Sequence, residues 1–146
     1  MNNRGISIEQ AQLLLQAATI QGKKLTSVPL TFAILDNGGH LKAFASDDNS
    51  GIHRSQIAQG KASAALGMGF NTSELQSLIQ EGVLPQMFAT CISTSVAGGF
   101  IPLAGGMLIY DKGNLLGAIG ISGASSVIDE KVALEAIADC ALQAYV

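Results

Sequence analysis

A few side chains in the first half of the chain have types and spacing that suit ligand chemistry. Asp36 and His40 flank the turn sequence Asn37-Gly38-Gly39, and Lys61 follows in a segment rich in Ala and Ser. A neutral imidazole is a common metal ligand, so His40 is the candidate metal ligand. An ammonium group favours an anion, so Lys61 is the candidate contact for a small carboxylate.

Each candidate also has an ordinary structural interpretation. His40 and His53 suit exposed or capping positions, and Asp36 suits a turn. A lysine on a helix can extend along apolar surface to reach water, which would explain Lys61 without a ligand. Acids in the first turn of a helix complement its dipole, and this accounts for Asp129 and Glu130.

The motifs of several enzyme classes are missing. Gln59-Gly60-Lys61-Ala62 ends like a phosphate-binding loop, but Ser55 stands where its first glycine belongs. No G-x-G-x-x-G segment follows a strand, and no G-x-S-x-G elbow occurs. Two isolated cysteines and two histidines lack zinc-site spacing.

Composition narrows the class of protein further. The 146 residues fit a single domain over positions 1–146, and the formal net charge of −3 with no basic stripe argues against a nucleic-acid partner. No apolar run reaches the length of a membrane span, and residues 1–5 lack a signal-peptide core, so a cytoplasmic location is expected. Only 13% of residues are charged, which favours a surface partly covered in a homo-oligomer.

Hydrophobic periodicity predicts the elements that must position these residues. Ser7 to Gly22 has a capping-box start and helical spacing, with Gly22 as the stop. The predicted strands are residues 30–36, 40–46, 87–94, 107–110 and 115–123, and the further predicted helices are residues 52–68, a short one from Asn71 to Ile79, and 127–145.

Two β-hairpins connect four of these strands. Asn37-Gly38 is expected to supply two positive-φ positions in the first turn, so Gly38→Val should cost about 1 kcal/mol. The turn over residues 111–114 is expected to connect the second hairpin. Hairpins exclude an all-parallel sheet, so the fold class is antiparallel α+β, with helices covering the sheet.

Three runs together resemble the GlcG/HbpS-like family, which includes the C-terminal domain of PduO-type corrinoid adenosyltransferases. The first is residues 30–41 (LTFAILDNGGHL), which is similar to the family's strand–turn–strand signature. The others are residues 61–65 (KASAA), like its central-helix motif, and residues 105–123, like its closing hairpin. Asp129 and Ala133 fall where the family's last helix carries an Asp and an Ala.

The resemblance implies a profilin-like, five-stranded antiparallel sheet flanked by helices, and homo-oligomers. It also implies binding of haem, with His40 as the axial ligand and Lys61 as the propionate anchor, in a site that includes Asp36 and Ser55. The chain departs from the family pattern at Leu108, at Ala64 and at the pair Ala45-Ser46, which replace a proline, a threonine and Arg-Met. Loss of the arginine removes a bidentate partner for a propionate.

The sequence therefore leaves three functions open. The first is non-covalent binding of haem or a related tetrapyrrole, in haem handling or sensing. The second is an enzyme of small organic-acid or aromatic catabolism, with Lys61 holding a carboxylate and Asp36 or His40 as acid–base. The third is a non-catalytic sensor or assembly subunit. In each case the ligand is predicted to lie between His40, the second strand and the Ala- and Ser-rich helix that carries Lys61.

Overall fold

The computed structural model describes residues 5–144, and its centre is one antiparallel sheet. The helices are α1 (Ile8–Leu25), α2 (Arg54–Met68), α3 (Thr72–Gln80), α4 (Gln86–Ser95) and α5 (Ser126–Asp139). The strands are β1 (Thr31–Asp36), β2 (Leu41–Ser46), β3 (Gly106–Asp111), β4 (Asn114–Ser122) and β5 (Gln143–Ala144). Their order across the sheet is β2-β1-β4-β3-β5, so the α+β class with five antiparallel strands is confirmed.

Helices cover both faces of the sheet, and alternation along the strands decides which side chains meet which helix. Phe32, Ile34, Ile119 and Ile121 pack with buried residues of α1 and α5 in the main core. The opposite face carries a smaller cluster with α2, made of Leu35, Ala62, Ala65, Leu108 and Ala118. A third cluster, around Leu75, joins α2 to α3 and to the chain after α4.

The first helix begins where the sequence predicts. The Ser7 hydroxyl accepts a hydrogen bond from the Gln10 backbone N–H, and the Gln10 side chain accepts one from the Ser7 N–H, which completes the capping box. The predicted stop at Gly22 is wrong, because α1 continues to Leu25. Gly22 is instead a packing position, where an added Cβ would lie 3.0 Å from a methyl carbon of Leu30.

Residues 87–94 form a helix rather than the predicted strand. Their β-branched and aromatic content is typical of strands, but Ala89, Ile92 and Val96 recur at helical spacing. Ala89 is buried, and Ile92 and Val96 pack in the cluster of Leu75 and Phe100. The side chain of Ser93 donates to the backbone oxygen of Ala89, a bond that a helix allows. Tertiary packing here outweighs strand propensity.

The last helix is shorter than predicted. It ends at Asp139, and Ala141 takes a left-handed φ of 55° that redirects the chain. Gln143 and Ala144 then pair with β3 as the fifth strand. The helix begins at Ser126, one residue before the predicted start, because Ser125 is the N-cap and its side chain accepts from the Ile128 N–H. The predicted end at Tyr145 lies outside the described residues.

Both predicted hairpins form, and the second has its turn at the predicted residues 111–114, but the first turn differs from expectation. In the first, φ is positive at Gly39 (83°), and neither Asn37 nor Gly38 is left-handed, so the predicted pair of positive-φ positions is wrong. In the second, Lys112 and Gly113 both have positive φ, at 49° and 80°. The two-residue turn with the twist that suits a hairpin is therefore at residues 112–113.

We expect Gly39→Ala, and not Gly38→Ala, to destabilise the first hairpin. A left-handed φ costs a residue with a Cβ about 1 kcal/mol, and no atom lies within 4 Å of an added Cβ at Gly39, so backbone strain is the whole effect. At Gly38 an added Cβ would lie 3.0 Å from the exposed His40 ring, which can move, and 3.4 Å from Oδ1 of Asp36, an ordinary contact distance. Urea unfolding measures both variants, and equal stabilities would contradict this turn geometry.

α2 lies in very close contact with the two strands below it. A Cβ added at Gly120 would overlap the Ala58 backbone oxygen, and one added at Gly106 would overlap the Lys61 backbone oxygen. Gly106 and Gly120 pair across β3 and β4, so together they form the depression that receives the helix. The helix lies in backbone contact with the sheet, which leaves no space for a flat ligand beneath it.

Gly120→Ala should therefore cost at least the ~1–3 kcal/mol typical of overpacking, because only movement of α2 can relieve the clash. The matched control is Gly67→Ala, an exposed position of the same helix where an added Cβ meets nothing closer than 3.9 Å. That control should be neutral or stabilise by up to about 1 kcal/mol, since Ala favours helix. Thermal and urea unfolding of the pair separate the two effects, and an unchanged Gly120→Ala protein would disprove the close contact.

Candidate functional site

The structure separates the predicted site residues into two groups at different ends of the sheet. Asp36 and His40 lie at the β1–β2 turn, where Asp36 pairs with Gly117 of β4. The ammonium nitrogen of Lys61 lies 2.9 Å from the Ile121 backbone oxygen. Gly117 and Ile121 are four residues apart on β4, which is about 13 Å at the rise of a strand. The two groups therefore do not meet in one pocket of the kind predicted.

Lys61 is buried, with only 3% of its side chain exposed, so it is not a lysine that extends to water. Its Nζ lies 3.0 Å from Oδ2 of Asp129, whose side chain is 2% exposed. The other oxygen of Asp129 accepts a hydrogen bond from the Ala124 N–H at 3.1 Å. The pair thus joins α2 to the end of β4 and the first turn of α5.

Burial and pairing act in opposite directions on these two groups. Burial lowers the pKa of the Lys61 ammonium, and the Asp129 carboxylate opposes that shift. Burial likewise raises the pKa of the Asp129 carboxyl, and the Lys61 charge opposes it. Asp129 is therefore more than an acid placed to complement the helix dipole, because it neutralises a buried cation.

Ser55 lies in the first turn of α2 and is partly buried. Its backbone oxygen accepts a hydrogen bond from the Gln59 side chain at 3.3 Å. Ser55, Gln59 and Ala62 follow at helical spacing along α2, and Ala62 lies against Gly120 of the sheet. Ala64, where the family pattern has threonine, is fully buried beside Leu75.

Asp36 and His40 are two predicted site residues that the structure brings into contact. The His40 Nδ1 lies 3.1 and 3.2 Å from the two carboxylate oxygens of Asp36. The His40 side chain is 79% exposed and that of Asp36 only 19%. Among residues 5–144, no three or more His, Cys, Asp or Glu side chains are grouped to hold a metal ion, so His40 would be a single protein ligand.

The turn itself holds the Asp36 carboxylate in place. Its Oδ1 accepts hydrogen bonds from the backbone N–H groups of Gly38 and His40, both at 2.9 Å. Partial burial would raise the pKa of the Asp36 carboxyl, but these hydrogen bonds and the His40 ring outweigh it and lower that pKa below its usual value. The carboxylate is thus ionised and fixed beside the imidazole.

Two exposed apolar side chains follow His40 along β2, which is an edge strand of the sheet. Leu41 pairs with Leu35, and Phe44 pairs with Ala33, so both point to the face that α2 covers further along. They remain 49% and 39% exposed, respectively. By alternation along β1, Asp36 and the His40 ring that contacts it lie towards the opposite face from Leu41 and Phe44. We call these three exposed residues at the sheet edge, His40, Leu41 and Phe44, the β2 edge surface.

Sequence reasoning missed the partner of Lys61. The two residues are 68 positions apart, and Asp129 sits in a helix start, where an acid has an ordinary explanation. Two features together could have indicated the pair: a single lysine in the Ala-rich helix, and an acid that precedes the apolar positions Val132, Ala133 and Ala136 of the last helix.

None of the helices described over residues 5–144 is long and apolar enough to cross a membrane. The homo-oligomer and the cytoplasmic location stay predictions.

Lys61→Met should destabilise the protein by about 3–5 kcal/mol, because it leaves the Asp129 carboxylate buried without its partner. The double variant Lys61→Met with Asp129→Leu should lose less than the sum of the single variants, since neither charge then remains. Lys131→Met, an exposed position of α5, is the control and should change stability by less than about 0.5 kcal/mol. Urea unfolding measures all four, and additive losses would disprove the coupling.

Comparison with known proteins assigns the family. Residues 6–138 match the family described as haem degrading protein HbpS-like. The chain is 29% identical over 133 residues to the corrinoid adenosyltransferase PduO of Citrobacter freundii. The matched region covers 91% of this chain and 38% of that protein. It therefore spans well under half the length of that relative.

Solved structures have the same fold. A PduOC–haem complex superposes with a TM-score of 0.86 at 26% identity, over 97% of this chain and 99% of that chain. The structure of HbpS gives a TM-score of 0.79 at 25% identity, over 95% of this chain and 92% of the other. The chain belongs to the HbpS-like family.

Proposed function

We propose that this chain binds haem or a related tetrapyrrole non-covalently. The observation that carries the proposal is the likeness, over 97% of the chain, to PduOC, a protein solved as a complex with haem. The family's description as haem degrading agrees with it. The proposal concerns binding and extends to haem handling or sensing as roles, since the residues support no defined chemical step on the ring.

The donor chemistry of His40 fits this ligand. Haem iron in many proteins is held by one neutral imidazole, and it supplies the redox and gas-binding chemistry once bound. Because His40 Nδ1 is engaged by Asp36, Nε2 is the ring nitrogen that remains for a metal. The high exposure of the His40 ring leaves it accessible to a ligand that arrives from solvent.

The β2 edge surface supplies apolar contact for a flat ring. A macrocycle needs extended apolar surface near its protein ligand, and Leu41 and Phe44 are partly exposed on the edge strand that follows His40, so the ring would reach them across the edge of the sheet. The space beneath α2 is closed by the contacts at Gly106 and Gly120, so the ligand would bind at the outer edge. Lys61 is held inside by Asp129, and the proposal therefore assigns it to stability rather than to a propionate.

The Asp36–His40 pair also favours a second candidate, the enzyme of small organic-acid or aromatic catabolism. A carboxylate that orients an exposed imidazole is the arrangement of a general base. In that case His40 Nε2 would accept a proton from the substrate. With Lys61 buried, the carboxylate of such a substrate would need another anchor.

Haem titration followed in the Soret band tests the proposal. The native protein should bind haem saturably, and His40→Ala should change the Soret maximum and weaken binding by about tenfold or more, since the axial bond is lost. His53→Ala is the matched control, because His53 is the chain's other histidine, is exposed and makes no side-chain cap hydrogen bond. It should leave both the spectrum and the affinity unchanged.

The outcomes separate the alternatives. Saturable binding that His40→Ala does not alter would reject the site while retaining the ligand. Absence of saturable binding by the native protein would reject the haem proposal and favour the second candidate, which predicts that His40 contacts a small acid instead. Light scattering of the same samples would show whether the protein is a homo-oligomer with and without haem.

A further inference from the structure

We propose that Asp36 is a positioning residue that fixes the His40 imidazole as its Nδ1–H tautomer before any ligand binds. This inference rests on the proposed function, because it concerns how the axial ligand of a bound haem is prepared. Asp36 would not touch the iron or the macrocycle. It would act only through the His40 ring, by deciding which nitrogen carries the lone pair.

The carboxylate is anchored independently of the imidazole. Its Oδ1 accepts from the backbone N–H groups of Gly38 and His40 at 2.9 Å, so the turn sets its position. The turn is closed by two further backbone bonds, from Gly39 N–H to the Asp36 oxygen and from Asp36 N–H to the His40 oxygen. The orientation of the acceptor therefore does not depend on a bound ligand.

The hydrogen bond to the ring then has one direction. An ionised carboxylate only accepts, so the nitrogen that faces it must donate. His40 Nδ1 faces both carboxylate oxygens at 3.1 and 3.2 Å, which places the proton on Nδ1 and the lone pair on Nε2 in the neutral ring. A histidine that binds a metal through Nε2 commonly donates its other N–H to such a carboxylate, which raises the basicity of the ligand.

The charge of Asp36 has a second consequence once haem is bound. If His40 held haem through Nε2, a carboxylate hydrogen-bonded to Nδ1–H would make that nitrogen a more basic ligand, which would favour the oxidised over the reduced cofactor. The midpoint potential of the bound haem should therefore be lower in the native protein than in a variant with a neutral group at residue 36. Because loss of any nearby negative charge would also raise the potential, the tautomer of the ligand-free protein is the measurement that identifies positioning.

The decisive variant is Asp36→Asn. The amide oxygen of asparagine can still accept from the Gly38 and His40 N–H groups, as in other turns of this kind, so the hairpin is retained while the charge is lost. Asp47→Asn is the matched control. The Asp47 carboxylate also accepts a backbone N–H, from Leu30 at 2.9 Å, but Asp47 lies after the far end of β2.

Two measurements are made on these proteins. Long-range nitrogen–proton NMR of the ligand-free protein reports the His40 tautomer. A charge-assisted hydrogen bond is stronger than a neutral one, so Asp36→Asn should shift the tautomer ratio toward Nε2–H by about fivefold or more. Redox titration of the haem-loaded protein should show a higher midpoint potential for Asp36→Asn. Asp47→Asn should change neither.

Failure of this inference and failure of the proposed function give different results. If haem binds and the tautomer is unchanged in Asp36→Asn, the positioning role is overturned and haem binding stands. If the native protein does not bind haem, the proposed function is overturned and the role of Asp36 in it falls too. The tautomer, measured without haem, would then show only whether Asp36 orients the imidazole in the free protein.

Discussion

The backbone contact between α2 and the β3–β4 pair is the constraint on which the rest of the structure depends. Two paired glycines, Gly106 and Gly120, remove the side chains that would keep a helix at the usual distance from a sheet. On the helix, the facing positions are Ala58, Lys61 and Ala62, whose backbone lies directly against these strands. Small residues on both surfaces are therefore one packing device, and neither surface has room left for a ligand.

The buried charge pair is a consequence of that closeness. A lysine on a helix in contact with the sheet cannot extend to water from the buried face, so the Lys61 ammonium must be satisfied inside. The Ile121 oxygen and the Asp129 carboxylate provide this at the end of β4. Breaking such a pair from one side costs more than the pair itself contributes, because the remaining charge stays buried. Loss of binding in a Lys61 variant would therefore not identify a ligand contact.

Local patterns in the sequence predicted local structure well, and the errors lie where distant contacts decide. The capping box at Ser7 and the second hairpin involve residues three or four positions apart, and both are found. Residues 87–94 have strand-like composition, yet packing beside Leu75 and Phe100 makes them a helix. The five-stranded sheet was correctly implied by the family resemblance, but its fifth strand is residues 143–144.

The candidate site residues show the same difference between local and long-range contacts. Asp36 and His40 are four positions apart across a turn, so their contact follows from the hairpin that the sequence predicts. Lys61 and Asp129 are 68 positions apart, and only the approach of α2 to the sheet brings them together. The sequence shows an Ala-rich helix that suits either a ligand slot or close packing. The choice between them depends on what lies opposite, and that is a pair of glycines that admit the helix backbone. We therefore place the proposed ligand site at the β2 edge of the sheet rather than at its centre, because β2 has a partner strand on one side only and the imidazole meets solvent there.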